Sequence, residues 1–300
     1  WYGNRYSDNT SYLFEYIHKE KLPIKAIWLS NKNKIISHLR SKGYRAFNKN
    51  SIFGFYYGCR AAVSFVNCGY SDVNMYAIGK SLKVQLWHGI PLKKIKYDDE
   101  INENKPHKPY YNRVKSALLF IFPFLNDNWD FIISSSEDVS QRMASAFRVD
   151  LAKIIETGYP RMDKILSPKD ELLNIFTEKK DWSQFAKIIL YAPTHRKEGR
   201  GGTSLFDSMD YIKFNEILSN ENAAMFIKMH YHHELNNNYL FYKSFSNIIL
   251  LEESDVTDIN TILPFVDVLI SDYSGVILDY LILDRPIIPT SFDLEEYITK

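Results

Sequence analysis

Short apolar runs alternate with helical patterns along most of this chain. Ala26-Ile27-Trp28-Leu29, Tyr44 to Phe47, Ala61 to Val66, Val84 to Trp87, Asp130 to Ser134 and Ile154 to Gly158 read as strands. Ser11 to Ile17, Lys34 to Lys42, Ser51 to Cys59 and Glu137 to Phe147 read as the helices among them. Gly43 stands at the C′ position of the second helix, and the Ser134-Ser135-Ser136 run supplies an N-cap for the fourth. Strands that are short continuous apolar runs, without in–out alternation, belong in parallel sheets covered on both faces by crossover helices. A polar, lysine-rich interval from Ser167 to Lys187 breaks the rhythm. The pattern resumes with Ile188 to Ala192, Met225 to His230, Ile248 to Leu251, Asp267 to Ile270 and Pro286 to Pro289. The expectation is an α/β protein of two Rossmann-like domains, residues 1–167 and 168–300, whose parallel sheets face a central cleft.

Composition narrows this picture by exclusion. Across 300 residues, 45% apolar and 24% charged is globular composition, so an ordered core is expected. The net charge of +1 supplies no global field for nucleic acid, and no nucleic-acid partner is expected. Cys59 and Cys68 have neither metal-ligand nor CxxC spacing, and so sparse a thiol content fits a reducing compartment. The opening Trp1-Tyr2-Gly3-Asn4-Arg5 lacks the apolar core of a signal peptide, and truncation is expected at both ends. The longest apolar run, Ala117 to Leu125, is well short of the ~20 residues of a transmembrane helix. Lys105, His107, Lys108, Arg113 and Lys115 precede it, which suits an interfacial membrane helix as well as a helix buried between domains. Glu198 to Ser204 is a glycine-rich loop suited to a lid; it lacks the lysine and serine of a P-loop. No GxGxxG follows a strand, so neither a Walker nucleotidase nor an NAD enzyme is supported.

Chemistry-bearing residues gather at the strand exits, where open α/β sheets bind ligands. They are His88-Gly89, Thr157 to Arg161, Pro193-Thr194-His195-Arg196, Lys228-Met229-His230 and Ser271 to Gly275. Capping explains one such exit; five in two successive α/β patterns point to a shared active cleft. Gly89 and Pro91 force a turn at His88, and Lys93 and Lys94 follow, an arrangement suited to phosphate. A strand-end histidine that merely caps the turn is the plain alternative. Ser274 and Gly275 precede the apolar pattern Val276 to Leu283, so their amides would hold a phosphate at a helix N-terminus, unless Ser274 is a simple N-cap. Asp279 is read as a ribose ligand or a surface carboxylate. His195 and Arg196 would contact a diphosphate, with Arg196 as the fixed cation. His230, His232 and His233 lack an HExxH or carboxylate pattern, and no metal is expected.

Several longer segments carry a resemblance. They are Trp87-His88-Gly89-Ile90-Pro91-Leu92-Lys93, Thr157-Gly158-Tyr159-Pro160-Arg161-Met162-Asp163, Tyr191-Ala192-Pro193-Thr194-His195-Arg196, Lys228-Met229-His230, Ser271-Asp272-Tyr273-Ser274-Gly275-Val276-Ile277-Leu278-Asp279-Tyr280, Arg285-Pro286-Ile287-Ile288 and Asp293-Leu294-Glu295-Glu296-Tyr297. In this order, with Trp1-Tyr2-Gly3 and Ser7-Asp8-Asn9 at the opening, the chain resembles the CDP-glycerol:poly(glycerophosphate) glycerophosphotransferases, the teichoic acid and capsule polymerases. Ile90, Met162, His195, Lys228 and Gly275 depart from that family's pattern.

The resemblance implies a GT-B-like fold and a CDP-activated polyol donor, CDP-glycerol or CDP-ribitol, with no further cofactor. It implies an anionic polyol-phosphate or glycan acceptor, release of CMP, and a cytoplasmic location at the inner face of the bacterial plasma membrane. A homo-oligomer is compatible with it. The family's two essential histidines map onto His88 and His230. Donor-binding positions map onto Arg161, Pro193, Thr194, Lys228, Met229, Ser274, Gly275 and Asp279; Gly89, Arg196 and Asp272 join them by their places at the strand exits. The N-terminal domain would take the acceptor, with His88 as base, and the C-terminal domain the CDP donor, with His230 on the diphosphate. Lys93, Lys94 and Lys96 are read as guides for the acceptor or for lipid headgroups, or as an ordinary solvated loop. The rivals are a GT-B glycosyltransferase using a nucleotide sugar and a polyanion-binding module with no reaction.

Overall fold

The computed structural model describes residues 1–99, 128–167, 184–194, 209–228, 244–252, 255–291 and 294. The chain divides into two compact units, Trp1–Arg161 and Met162–Lys300. That division falls inside a helix, six positions before the residue 167 boundary read from the loss of apolar rhythm.

In the first unit, α1 (Asp8–Lys19) leads into β1 (Trp28–Ser30), α2 (Asn33–Ser41), β2 (Ala46–Asn48), α3 (Ile52–Arg60) and β3 (Val63–Val66). Next come β4 (Leu82–Gln85), β5 (Phe131–Ser134), α4 (Glu137–Phe147), β6 (Ile154–Glu156) and α5 (Pro160–Leu166), the last crossing the boundary. β1 and β2 form a small parallel pair, and β3-β4-β5-β6 a four-stranded parallel sheet in chain order. Local chemistry sets the helix ends. Gly43 takes φ +80° after α2, the left-handed C′ position that a β-carbon disfavours. The Ser51 hydroxyl accepts from the Gly54 N–H at 3.1 Å and the Ser136 hydroxyl from the Val139 N–H at 3.4 Å, capping α3 and α4. Within α3, a β-carbon at Gly54 would lie 2.2 Å from the Asn48 carbonyl oxygen, so glycine alone lets this helix pack against the β2 exit. Val66 and Ile132 pack with Trp87, Trp129, Val139, Met143 and Phe147 into the core that seats α4 on the sheet.

The second unit holds β7 (Lys187–Tyr191), α6 (Tyr211–Asn220), β8 (Ala223–Ile227), β9 (Ile248–Leu250), β10 (Val268–Ser271), α7 (Val276–Tyr280) and β11 (Ile287–Pro289). Its five strands are parallel, in the order β11-β10-β7-β8-β9. Alternate residues feed two separate cores. Leu190, Ala224, Phe226 and Leu269 enter one, whereas Tyr191, Met225, Ile227 and Ile270 enter the other. Every residue of β8 is buried, which is why it reads as an unbroken apolar run. From β7 the chain proceeds outward through β8 and β9, then returns to the opposite side of β7 for β10 and β11. The reversal between β7 and β10 is the switch point at which such sheets open a crevice beyond their carboxyl ends.

The α/β class and the parallel sheets expected from the sequence are present, and two such units are the architecture of a GT-B-like chain. Boundaries shift by a residue or two at most strands. The run read as Val84 to Trp87 shifts by two at each end. It forms β4 over Leu82–Gln85, after which the Leu86 N–H still reaches the Val66 carbonyl at 2.8 Å and Trp87 leaves the strand. The helix expected over Val276 to Leu283 is α-helical through Tyr280 and then tightens to a 3₁₀ turn over Leu281–Leu283.

Candidate active site

In the first unit, three strand exits bring one group of side chains together. β3 ends at Asn67-Cys68, β4 leads to Trp87-His88-Gly89, and β6 leads through Thr157-Gly158 to Arg161 in the first turn of α5. The turn that presents His88 has unusual backbone. Trp87 takes φ +52° and Gly89 φ +156°, and a bulky residue in the left-handed region persists only where its surroundings hold it there. The Gln85 carboxamide oxygen accepts the Trp87 N–H at 3.0 Å. The Trp87 ring is buried edge-on against Phe147, with centroids 5.1 Å apart. Asn9 of α1, fully buried, donates its side-chain amide to the Leu86 carbonyl at 3.1 Å and to the Trp87 carbonyl at 2.9 Å.

The His88 ring lies against Trp87, with centroids 4.1 Å apart, and 5.8 Å from the Trp1 ring. Its Nδ1 faces the Asn67 carbonyl oxygen at 3.3 Å and the Cys68 sulfur at 4.0 Å. A carbonyl only accepts, so Nδ1 carries the proton in the neutral ring and Nε2 keeps a lone pair. Burial pushes the imidazole pKa down to about 4; the Asn67 carbonyl works against that, while the Arg161 guanidinium reinforces it. His88 is therefore neutral at pH 7, in the state a general base requires. Asp72 fixes the loop that carries the Asn67 carbonyl, accepting the main-chain N–H groups of Asn67 at 2.9 Å and Cys68 at 2.7 Å.

Arg161 is 3% exposed. Its guanidinium meets Asp8 Oδ1 at 3.4 Å and lies 5.6 Å from the Tyr159 ring centroid. A β-carbon on Gly89 would sit 3.4 Å from the same guanidinium, so the glycine backbone runs beside the cation. The Arg161 N–H donates to Asn9 Oδ1 at 3.1 Å. Lys93 and Lys94 are exposed on the following loop, whereas Lys96 holds its ammonium 5.8 Å from the Trp87 ring centroid and 5.6 Å from that of Phe147.

In the second unit, the β7 and β10 exits meet at the switch point. Asp272 accepts the Thr194 N–H at 2.8 Å on one oxygen and the Thr194 hydroxyl at 3.0 Å on the other. One residue earlier, the Ser271 hydroxyl donates to the Ala192 carbonyl at 2.5 Å. These bonds tie the two diverging chains where the crevice opens. Pro193, Ser274 and Gly275 are half-buried around this joint, and Asp279 is buried one turn into α7. Gly275 is the N-cap residue without a side-chain cap, and the Ser274 hydroxyl lies 3.4 Å from the Val276 N–H. Lys228 follows β8, its N–H donating to the Tyr191 carbonyl at 2.9 Å.

Met229, His230, His195 and Arg196 lie outside the described residues, as do His232, His233, the 198–204 loop, the 117–125 apolar run and most of the 293–297 segment. Among the described residues, no three His, Cys, Asp or Glu side chains gather as metal ligands, and no helix is long and apolar enough to cross a membrane. The first unit thus joins His88, Gly89 and Arg161, and the second joins Pro193, Thr194, Asp272, Ser274 and Gly275. Asn67, Cys68 and Asp72 carried no signal in the sequence, because their use depends on which strands lie side by side. Asp8 and Asn9 showed only in the opening of the family resemblance.

The family described as CDP-glycerol:poly(glycerophosphate) glycerophosphotransferase matches residues 2–300. The teichoic acid poly(glycerol phosphate) polymerase of Bacillus spizizenii is 31% identical over 314 residues, covering 98% of this chain and 73% of that protein. The polymerase of the same description from Staphylococcus epidermidis is 27% identical over 305 residues, covering 98% of this chain. The chain spans only 40% of that relative's length. Among solved structures, an alanine variant of the wall teichoic acid polymerase TagF aligns with TM-score 0.73 and 26% identity, covering 98% of this chain and 70% of that one. A TagF variant with asparagine in place of a histidine, soaked with CDPG, also aligns with TM-score 0.73, at 25% identity.

Proposed function

Since the chain belongs to the CDP-glycerol:poly(glycerophosphate) glycerophosphotransferase family, we propose that it transfers a polyol phosphate from a CDP-activated donor to a hydroxyl of a teichoic-acid-like or capsular polymer. Glycerol phosphate is the favoured group, and CDP-glycerol the favoured donor over CDP-ribitol. The observation that carries the reading is His88: neutral, its Nδ1–H aimed at the Asn67 carbonyl, its Nε2 left as a lone pair. In the reaction, Nε2 takes the proton of the acceptor hydroxyl as its oxygen attacks the glycerol-bearing phosphorus. The bond from that phosphorus to the bridging oxygen breaks, and CMP leaves with the electron pair. The proton passes from His88 to CMP or to solvent.

Arg161 is buried and matched to Asp8, so its first effect is on His88: its positive charge keeps the imidazole unprotonated. The second unit takes the cytidine diphosphate. Donor phosphates would lie at the switch point, against the Thr194–Asp272 joint and the Ser274–Gly275 backbone, with Lys228 and His230 supplying charge and hydrogen bonds. Exposed Lys93 and Lys94, beside exposed Leu92, suit an anionic polymer or the headgroups of the inner membrane leaflet. Calorimetric titration with CDP-glycerol, CDP-ribitol and UDP-glucose tests the donor class. Heat from a CDP-polyol and none from UDP-glucose is expected; binding of UDP-glucose alone would overturn the proposal.

A further inference from the structure

We infer that Asn9 is a positioning residue for the reaction, the part that sets His88 against Arg161. The inference rests on the reading of His88 as the base. Two chain segments far apart in sequence, the β4 exit and the start of α5, converge on this one carboxamide. Its two N–H bonds go to the Leu86 and Trp87 carbonyls, at 3.1 and 2.9 Å, and its oxygen accepts the Arg161 N–H at 3.1 Å. Asn9 is 0% exposed, so no water can replace any of these bonds. Both amide hydrogens donate to one loop and the oxygen accepts from the other. Aspartate could accept but not donate, and alanine could do neither.

The two loops so joined are those that carry the base and the cation. Asn9 grips the β4 exit one residue before His88, at a tryptophan whose φ of +52° needs outside support. It grips α5 at Arg161 itself. Gly89 runs beside the Arg161 guanidinium, so the imidazole and the cation have no slack of their own to take up a shift between the loops. Asn9 is in turn anchored: its N–H donates to Asp8 Oδ1 at 2.7 Å, and that same oxygen holds Arg161 NH1 at 3.4 Å. Backbone carbonyls, carboxylate, guanidinium and carboxamide thus form one closed circuit, in which the amide is the link between base loop and cation loop. A displacement of the base by about 1 Å is enough to cost ~10²-fold in turnover.

The test uses Asn9→Asp and Asn9→Ala, each checked for a native melting transition, alone and combined with His88→Ala. Asn9→Asp keeps the bond to the Arg161 N–H and loses both donations to the His88 loop. Turnover of CDP-glycerol is expected to fall ~10²-fold with donor KM within about threefold, and His88→Ala is expected to mask the effect in the double variant. Losses that multiply in the double variant, or full turnover in Asn9→Asp, would overturn the inference. A second readout needs no substrate. ¹⁵N spectra of histidine-labelled protein should show His88 as a single neutral form protonated at Nδ1 in the unsubstituted chain, and as a mixture of tautomers in both Asn9 variants. An unsubstituted chain inactive on every CDP-polyol would end the proposed function, while the spectra would still decide whether Asn9 positions His88. An unchanged His88 signature in both variants would end the inference about Asn9.

Discussion

His88 gathers several residue-scale effects that oppose one another. Burial disfavours its charged form, the Arg161 guanidinium disfavours it further, and the Asn67 carbonyl favours the Nδ1–H that both neutral and charged rings can offer. The net pKa of about 4 lies below the ~6.5 of an unfolded histidine, so the unfolded chain takes up the proton first as pH falls. The stability held by the neutral ring is complete above pH 6.5 and is lost progressively between about 6.5 and 4. At pH 5 the loss from this group is about 2 kcal/mol. Urea unfolding at pH 7 and pH 5 measures it: His88→Gln should narrow the difference between the two pH values by that amount. An equal difference in both proteins would mean that His88 is not held neutral by the fold.

At the scale of elements, the Thr194–Asp272 joint is where the second unit's topology becomes chemistry. β7 and β10 are neighbours whose following chains diverge, and one buried carboxylate holds both exits by accepting two bonds from Thr194. Asp272→Ala removes the acceptor of both bonds that Thr194 makes to it. Stability should fall by about 1–3 kcal/mol, and CDP-glycerol affinity should fall ~10-fold or more as the phosphate-binding backbone loosens. Calorimetry on the folded variant checks this, and unchanged affinity would place the donor elsewhere.

Elements were legible in the sequence to different degrees, for physical reasons. α4 was readable to the residue because Ser136 caps one end and Phe147 closes its apolar stripe at the other. β8 was readable as an apolar run because both faces are buried, although burial of every side chain hides the register. α5 was not readable: the strand read over Ile154 to Gly158 ran straight into Tyr159-Pro160-Arg161, because Pro160 at a helix start looks like a turn. α6 was missed as well, since only Tyr211 and Leu218 of its residues are buried and its apolar stripe is thin. In the site, the strand-exit residues His88, Thr194 and Asp272 were marked by their neighbours in sequence. Asn9, Asn67 and Asp72 were not, because an asparagine that bonds main-chain groups 77 residues away looks like any surface asparagine until the strands are paired.

For the whole molecule, the strand order is the property that sequence pattern leaves open and the fold decides. The runs announce parallel strands, but only pairing reveals that the second sheet reverses direction beside β7. Under the proposed function, the donor would bind at that reversal and the neutral histidine of the first unit would act as base. The family match over residues 2–300 spans both units. The exits of the first sheet hold a neutral histidine, a buried cation matched to Asp8, and Asp72 bonded to main-chain N–H groups. Those of the second hold Asp272, which accepts the Thr194 N–H and the Thr194 hydroxyl.

The most direct measurement is CMP release from CDP-glycerol in the presence of a polyol-phosphate acceptor, compared between the unsubstituted chain and His88→Ala, with donor affinity measured on both. Base catalysis by His88 requires a ~10²–10⁴-fold loss of turnover with donor affinity nearly intact. Turnover preserved in His88→Ala, or lost only in proportion to donor binding, would contradict the account at its centre.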